Sequence, residues 1–392
     1  MARSRNDMNA TVTRIRLRAR ILEFLDEGLE LVTAALDLAG GQLATAMSAF
    51  THLQPAQPTT LAHYLAGVTA ELLRSLSAVA ASLESVDRCP MGAASGSGTS
   101  FPIDRAMVAG LLGFHEVADN SLDAVASRDY LTAVLAGLAS LGVTLTRWST
   151  DFQLWASHAY GFLDWPDDLV STSSIMPQKR NAYVWEDIRG QAVHPAGALM
   201  EVLMGMKNTP FSNSVEVSAE ATAHLWPAVD AIEKATRLTR LLVENVEVRP
   251  LRMRRFLDGA NATMTALADS LVVHHGLAFR TAHEAVGRLA RMLPEGCELS
   301  PERVRGPLEE ILRELTGRSL ALGNGLAAAL DVERSLRAAE HGGGPAPRTV
   351  AAQLARLAET KRRLEDDVRA WRERLGEADG RLRGALRELV ET

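Results

Sequence analysis

Residue types able to move a proton and hold a carboxylate crowd into one stretch of this 392-residue chain: Ser173, Lys179 and Asn181, followed by Glu186. The first three belong to the run Ser173-Ser174-Ile175-Met176-Pro177-Gln178-Lys179-Arg180-Asn181, preceded by Ser171 and Thr172. Consecutive small hydroxyl residues have little helix preference and much capacity to bond backbone, so the run reads as a mobile loop; Pro177 discourages helix before it. A serine hydroxyl is a poor base unless its alkoxide is stabilised, and loop amides with a nearby ammonium can do that. The combination suits removal of a proton from carbon next to a carboxylate. Taken alone, the same residues also fit a solvated Ser/Thr loop with no chemistry.

The elements around this loop are helices. Val184, Ile188 and Ala192 recur at helical spacing, which predicts a long helix from about Asn181 towards Lys207 with Glu186 in its second turn. The first helix carries Met8, Val12, Ile15, Ala19, Leu22, Leu25, Leu29, Val32 and Leu36 as one apolar stripe. Thr51 to Pro58 holds two prolines and no periodicity, so it reads as a loop bearing His52 before a helix capped at Thr59 or Thr60. Leu131, Val134, Leu138, Leu141, Leu145, Trp148, Phe152 and Trp155 form a strict seam that implies helices packed at shallow angles. A further long helix spans about Ala219 to Val246, and Ala262 to Leu293 reads as two shorter helices joined near Gly276 to Arg280. From Leu354 to Leu389 a charged amphipathic helix is expected to lie on its own C-terminal domain. No convincing strand is found. The chain is therefore expected to be all-α, a bundle of long helices over residues 1–248 with a small helical C-terminal domain over 249–392.

Composition narrows the partners. A net charge of −6 argues against a nucleic-acid binder, and an anionic substrate would need local Arg and Lys to outweigh that sign. Two cysteines are too few for a disulfide framework, and the ten histidines show no metal-ligand spacing, so no metal is expected. No run of about 18 apolar residues and no apolar leader is found, which excludes a membrane partner and points to a reduced cytoplasm.

Three separated motifs then carry a resemblance. Ser173 to Asn181 resembles the signature loop of the fumarase/aspartase superfamily, and its Gln-Lys-basic-Asn form is similar to that of the argininosuccinate lyase branch. Ser4-Arg5-Asn6-Asp7 and Thr51-His52-Leu53-Gln54-Pro55-Ala56-Gln57-Pro58 match the same branch, in the same order. The resemblance covers nearly the whole chain, although the family's small N-terminal domain precedes a motif that here arrives at residue 4. It implies a carbon–nitrogen lyase of amino-acid metabolism, within arginine biosynthesis, that forms fumarate from argininosuccinate or a related N-substituted aspartate. It also implies a homotetramer in which each active site takes the three motifs from three chains. By the same resemblance Ser173 is the base, Lys179 and Asn181 bind the carboxylate that takes up developing charge, and His52 with Glu186 protonates the departing nitrogen. Ser4, Arg5, Asn6 and Thr51 hold the succinyl carboxylates. Side chains handle every charge, so no cofactor is implied.

The chain also departs from the family. Thr172 stands where the family has Gly, Ala182-Tyr183 replaces Pro-Asp, and Asn213, Ser218 and Ala221 fall where argininosuccinate lyases carry Tyr, Gln and Lys around the amine. The amine-side changes favour an N-substituted aspartate other than argininosuccinate, while the early start with the Thr172, Ala182 and Tyr183 changes motivates a catalytically silent scaffold of the same fold. An enzyme closer to aspartase or adenylosuccinate lyase is a further alternative, the former disfavoured by Arg5.

Overall fold

A computed structural model describes residues 3–294, 296–323 and 325–391. The helices that build its central bundle are α1 (Arg5–Gly40), α2 (Leu61–Val86), α3 (Asp129–Ala156), α4 (Val184–Ala192), α5 (His194–Met206) and α6 (Leu225–Glu244). Cross-links give their directions. Arg14 of α1 donates to the carbonyls of Ser85 and Val86, so α1 and α2 are antiparallel. Tyr64 of α2 meets Asp151 and Ser75 meets Ser140, so α2 and α3 are antiparallel too. Ser149 of α3 meets Trp185, while Arg20 of α1 meets Asp230 of α6. The result is an up-down-up-down-up bundle whose core includes Leu25, Leu72, Leu138, Trp148, Trp185 and Ile232.

The start of α1 is turned from the expected stripe. Ala10, Leu17 and Ile21 are buried, whereas Val12 is 62% exposed and Met8 and Ala19 also face out. Two arginines set this orientation. Arg14 caps the carbonyl end of α2 and lies 3.9 Å from the centre of the Tyr130 ring. Arg18 bonds Asp87 at 2.8 Å and the carbonyls of Leu112 and Gly113. Helix ends leave carbonyls that need donors, and here buried guanidinium groups supply them. From Leu22 onward the stripe faces the core as expected.

The expected helix from Asn181 to Lys207 is broken in two. Pro195 lacks the N–H that would continue α4, so the chain bends at Val193 and restarts as α5. Because α4 begins at Val184 and not near Asn181, Glu186 lies in its first turn, not the second. Helix α6 likewise starts at Leu225 rather than near Ala219, with Pro227 accommodated in its first turn.

Strands, expected nowhere, occur among the described residues as four two-stranded pairs. The longest joins β1 (Ala46–Thr51) to β2 (Gln54–Thr60), so Thr51 to Pro58 is most of a hairpin and not an open loop. Pro55 and Pro58 hide it from a periodicity reading, since proline in a strand is tolerated only where no ladder donor is needed. By length and composition α3 is apolar enough to cross a membrane, yet it holds no unbroken run of 18 apolar residues. Gly137, Ser149 and Arg147 interrupt any continuous run, and α3 is the central core helix, in contact with α2, α4, α5 and α6.

Beyond the bundle, Met264–His275, Phe279–Met292 and Pro301–Thr316 close a second core around Leu267, Leu271, Leu289 and Leu308. Gly276, with φ +63°, makes the first of these turns. The last helix, Pro347–Glu391, does not lie on that unit. It runs back along α1 and α2, placing Leu364 and Val368 in the bundle core. Its Arg374 joins Arg18 on the buried carboxylate of Asp87, at 2.7 Å. Burial of the apolar face, Leu364 and Val368 with Leu357 and Leu375 beside them, drives the docking, and the carboxylate with its two guanidinium partners fixes the register.

Candidate active site

The loop from Ser173 to Lys179 is clasped by a short ladder in which Ser171 pairs with Asn181 and Thr172 with Arg180. Ser173 N–H donates to the Lys179 carbonyl at 3.2 Å, and Lys179 N–H to that of Met176 at 3.0 Å. The Ser173 hydroxyl oxygen accepts from the backbone N–H of Met176 at 3.1 Å and of Ile175 at 3.4 Å. These are the loop amides that a serine acting as base needs. Arg180 anchors the clasp through the Trp165 carbonyl at 2.6 Å and an ion pair with Asp167. Asn181 donates to the Ser171 carbonyl at 3.3 Å. The loop crest is open to solvent, with Ile175 81% exposed and Lys179 exposed beside it.

Just below, Glu186 accepts a bond of 2.6 Å from the side-chain amide of Gln153 on α3. Gln153 in turn accepts from Arg189 of α4, also at 2.6 Å.

His52 occupies the tip of the β1–β2 hairpin. His52 and Leu53 have φ of +53° and +60°, the left-handed conformation at both positions of a two-residue turn. That geometry suits Asn-Gly, and non-glycine residues adopt it at a cost of about 1 kcal/mol each. The turn edges a cavity of about 660 Å³ walled by Phe50, Tyr64, Trp155 and Tyr160. On its side wall Tyr64 donates to Asp151 at 2.7 Å. Burial pushes the Tyr64 phenol well above its ordinary range and raises the Asp151 carboxyl too.

Ser4 caps α1 through a capping box with Asp7, and Arg5 and Asn6 open the helix. Asp7 is fully buried and accepts from three backbone N–H groups, those of Ser4, Gly92 and Ala94, each at 3.0 Å. It pins the start motif to the 92–98 turn, and replacement by alanine leaves those donors without a partner. We expect Asp7→Ala to lower unfolding stability by about 3 kcal/mol in a denaturant titration. Asn6 accepts from the Asn213 side chain at 3.0 Å, joining the start motif to the segment after α5.

The motifs do not meet within one chain. Helix α1 has 36 residues, so about 54 Å separates Arg5 at one end of the bundle from the end that carries the hairpin, the Ser173 loop and Glu186. Even at the shared end, His52 and Glu186 face apart: the His52 cavity includes Asp151, and Glu186 is held by Gln153. Positions two apart on a helix point in nearly opposite directions, so the two lie on opposite flanks of α3. Among the described residues no hydrogen bond or ion pair links Ser4–Asn6, Thr51–His52 and Ser173–Glu186 to one another. Asp7 and Gln153 escape a functional reading of the sequence. The first is visible as half of a Ser-x-x-Asp capping box; the second has no local signal, because its partners come from another helix.

Residues 1–197 match the family described as Lyase, and residues 261–337 the family described as Argininosuccinate lyase C-terminal. The argininosuccinate lyase of Methanothermobacter thermautotrophicus is 40% identical over 352 residues, 89% of this chain and 74% of that protein. That of Methanoculleus marisnigri is 38% identical over 394 residues, covering 100% and 77%. Among solved structures, EDDS lyase in complex with formate superposes with a TM-score of 0.93 at 27% identity, covering 100% of this chain and 78% of that one. A class II fumarase from Schistosoma mansoni, 17% identical, shares the fold with a TM-score of 0.70 over 85% of this chain and 70% of its own.

Proposed function

The chain belongs to the argininosuccinate lyase branch of the fumarase/aspartase superfamily, and from that premise we propose which residues carry its reaction and what completes its site. The protein is a carbon–nitrogen lyase that releases fumarate. In the proposed site Ser173 takes the proton from the carbon beta to the leaving nitrogen. The electron pair left behind forms the double bond as the carbon–nitrogen bond breaks. Lys179 and Asn181 stabilise the charge that builds on the adjacent carboxylate. His52, backed by the Glu186 carboxylate, gives the departing nitrogen its proton, and Ser4, Arg5, Asn6 and Thr51 hold the succinyl carboxylates. The observation that carries this reading is the Ser173 hydroxyl held by two amides on an exposed loop.

Two features support a homotetramer with shared sites. The start motif and the loop lie at opposite ends of a bundle whose first helix is about 54 Å long. Apolar side chains are also left in water on long helices, Val12 on α1 and Val193, Met200, Leu203 and Met204 along the α4–α5 rod. The substrate is a small anionic N-substituted aspartate, argininosuccinate itself in the simplest case, and the proposal carries with it a role in arginine biosynthesis and a cytoplasmic location. The bond from Asn213 to Asn6 supports the amine end lying near this segment. The test follows absorbance by fumarate when the protein meets argininosuccinate, adenylosuccinate, aspartate and EDDS. Fumarate is expected from argininosuccinate or another N-substituted aspartate; none from any of them in folded protein overturns this assignment.

A further inference from the structure

Glu186 and Arg189 stand three apart on α4, the spacing at which a carboxylate and a guanidinium ordinarily pair on a helix. They do not pair. Gln153 lies between them, donating to Glu186 at 2.6 Å and accepting from Arg189 at 2.6 Å. Arg189 also reaches the Ser149 hydroxyl at 3.5 Å, and Ser149 donates to the Trp185 carbonyl at 2.5 Å. Ser149 and Gln153 are one helical turn apart on α3, so the two helices are joined by a polar ladder. Because an amide has one accepting and one donating end, the guanidinium fixes which end of Gln153 faces Glu186.

We infer that Gln153 is a positioning residue that keeps Arg189 from neutralising Glu186, leaving that carboxylate to the imidazole of His52 from another subunit. The inference rests on the pairing of His52 with Glu186 proposed above. An imidazole beside a carboxylate keeps its proton to higher pH, and a carboxylate already paired with a guanidinium helps it less. Of the other titratable groups around α4, His194 at the start of α5 is exposed and Glu201 of α5 pairs with His224, while most of the rest are engaged elsewhere. Asp187 pairs with Lys234 of α6 at 2.8 Å, Arg147 of α3 with Glu71 at 3.1 Å, and Asp151 of α3 accepts from Tyr64. From the loop before α4, Arg180 turns to Asp167, and Lys179 is exposed.

The experiment compares kcat/KM against pH for the intact enzyme, Gln153→Met, Gln153→Met with Arg189→Met, and Glu186→Gln, with fumarate as readout. Methionine retains helix propensity at a half-buried position, and circular dichroism checks each fold. In Gln153→Met the released Arg189 pairs with Glu186, so the basic limb should move to lower pH by about one unit, a tenfold loss above it. Removing Arg189 as well should return the limb towards its original place, which loss of packing alone would not do. If Glu186→Gln moves the limb and Gln153→Met does not, or if the double variant stays shifted, the role given to Gln153 is overturned. If Glu186→Gln leaves the profile unchanged, the pairing of His52 with Glu186 fails and this inference fails with it.

Discussion

Ser173→Ala should reduce turnover by more than about 10⁴-fold while leaving substrate affinity nearly intact, beyond the ~10²–10⁴ typical of a group that only assists proton transfer. The change removes one hydroxyl oxygen, whose partners are the N–H groups of Ile175 and Met176 on a solvent-facing loop. Water can take those bonds, so the clasp of Ser171 with Asn181 and the Arg180 anchor should survive. Binding is expected to hold because the carboxylates of the substrate are assigned to Ser4, Arg5, Asn6, Thr51, Lys179 and Asn181. Single-turnover kinetics with equilibrium binding of the intact substrate measures both quantities. His52→Asn gives the contrast. Its defect should grow with the basicity of the departing amine, since a poorer leaving group needs more protonation, whereas that of Ser173→Ala should not. Substantial activity in Ser173→Ala, or the same response to the amine in both variants, would remove Ser173 from the role of base.

Two inactive variants should make an active enzyme when they assemble together. Arg5→Ala damages the start motif at one end of α1, and Ser173→Ala damages the loop at the other end of the bundle. If each site draws these motifs from different subunits, random mixing gives an intact start motif to half of the sites and an intact loop to half. About a quarter of the sites then have both, so co-expressed and co-purified variants should recover about a quarter of wild-type activity from parents with almost none. A site contained in one chain predicts no recovery at any mixing ratio. The readout is fumarate formation by particles carrying both affinity tags, whose mass also reports whether they are tetramers.

Much of the bundle is legible from the sequence because burial and periodicity speak together. The seam from Leu131 to Trp155 is buried at every one of its positions. What fails is instructive in physical terms. A stripe reading treats Arg14 and Arg18 as solvent-facing, but the carbonyl ends of other segments make buried guanidinium groups favourable, and α1 rotates to suit them. The hairpin around His52 is hidden since its partners are two prolines and a bulge, not an alternating pattern. The Ser173 loop can be located from its hydroxyl residues, yet its clasp rests on a ladder two residues long, below the reach of any propensity argument. Gln153 is the extreme case, since its meaning lies wholly in Glu186 and Arg189, more than thirty positions away.

The left-handed turn at His52 and Leu53 also bears on how this protein can be improved or spoiled. Leu53 is 70% exposed, so glycine there sacrifices little packing and relaxes one of the two unfavourable backbone conformations. A search for heat-resistant variants that scores only survival of the fold will therefore be drawn to this turn early. The same relaxation lets the hairpin tip swing, and with it the imidazole proposed to protonate the departing nitrogen. Selection for robustness and selection for turnover pull in opposite directions at this one pair of residues, so any screen of this enzyme must carry an activity readout alongside heat.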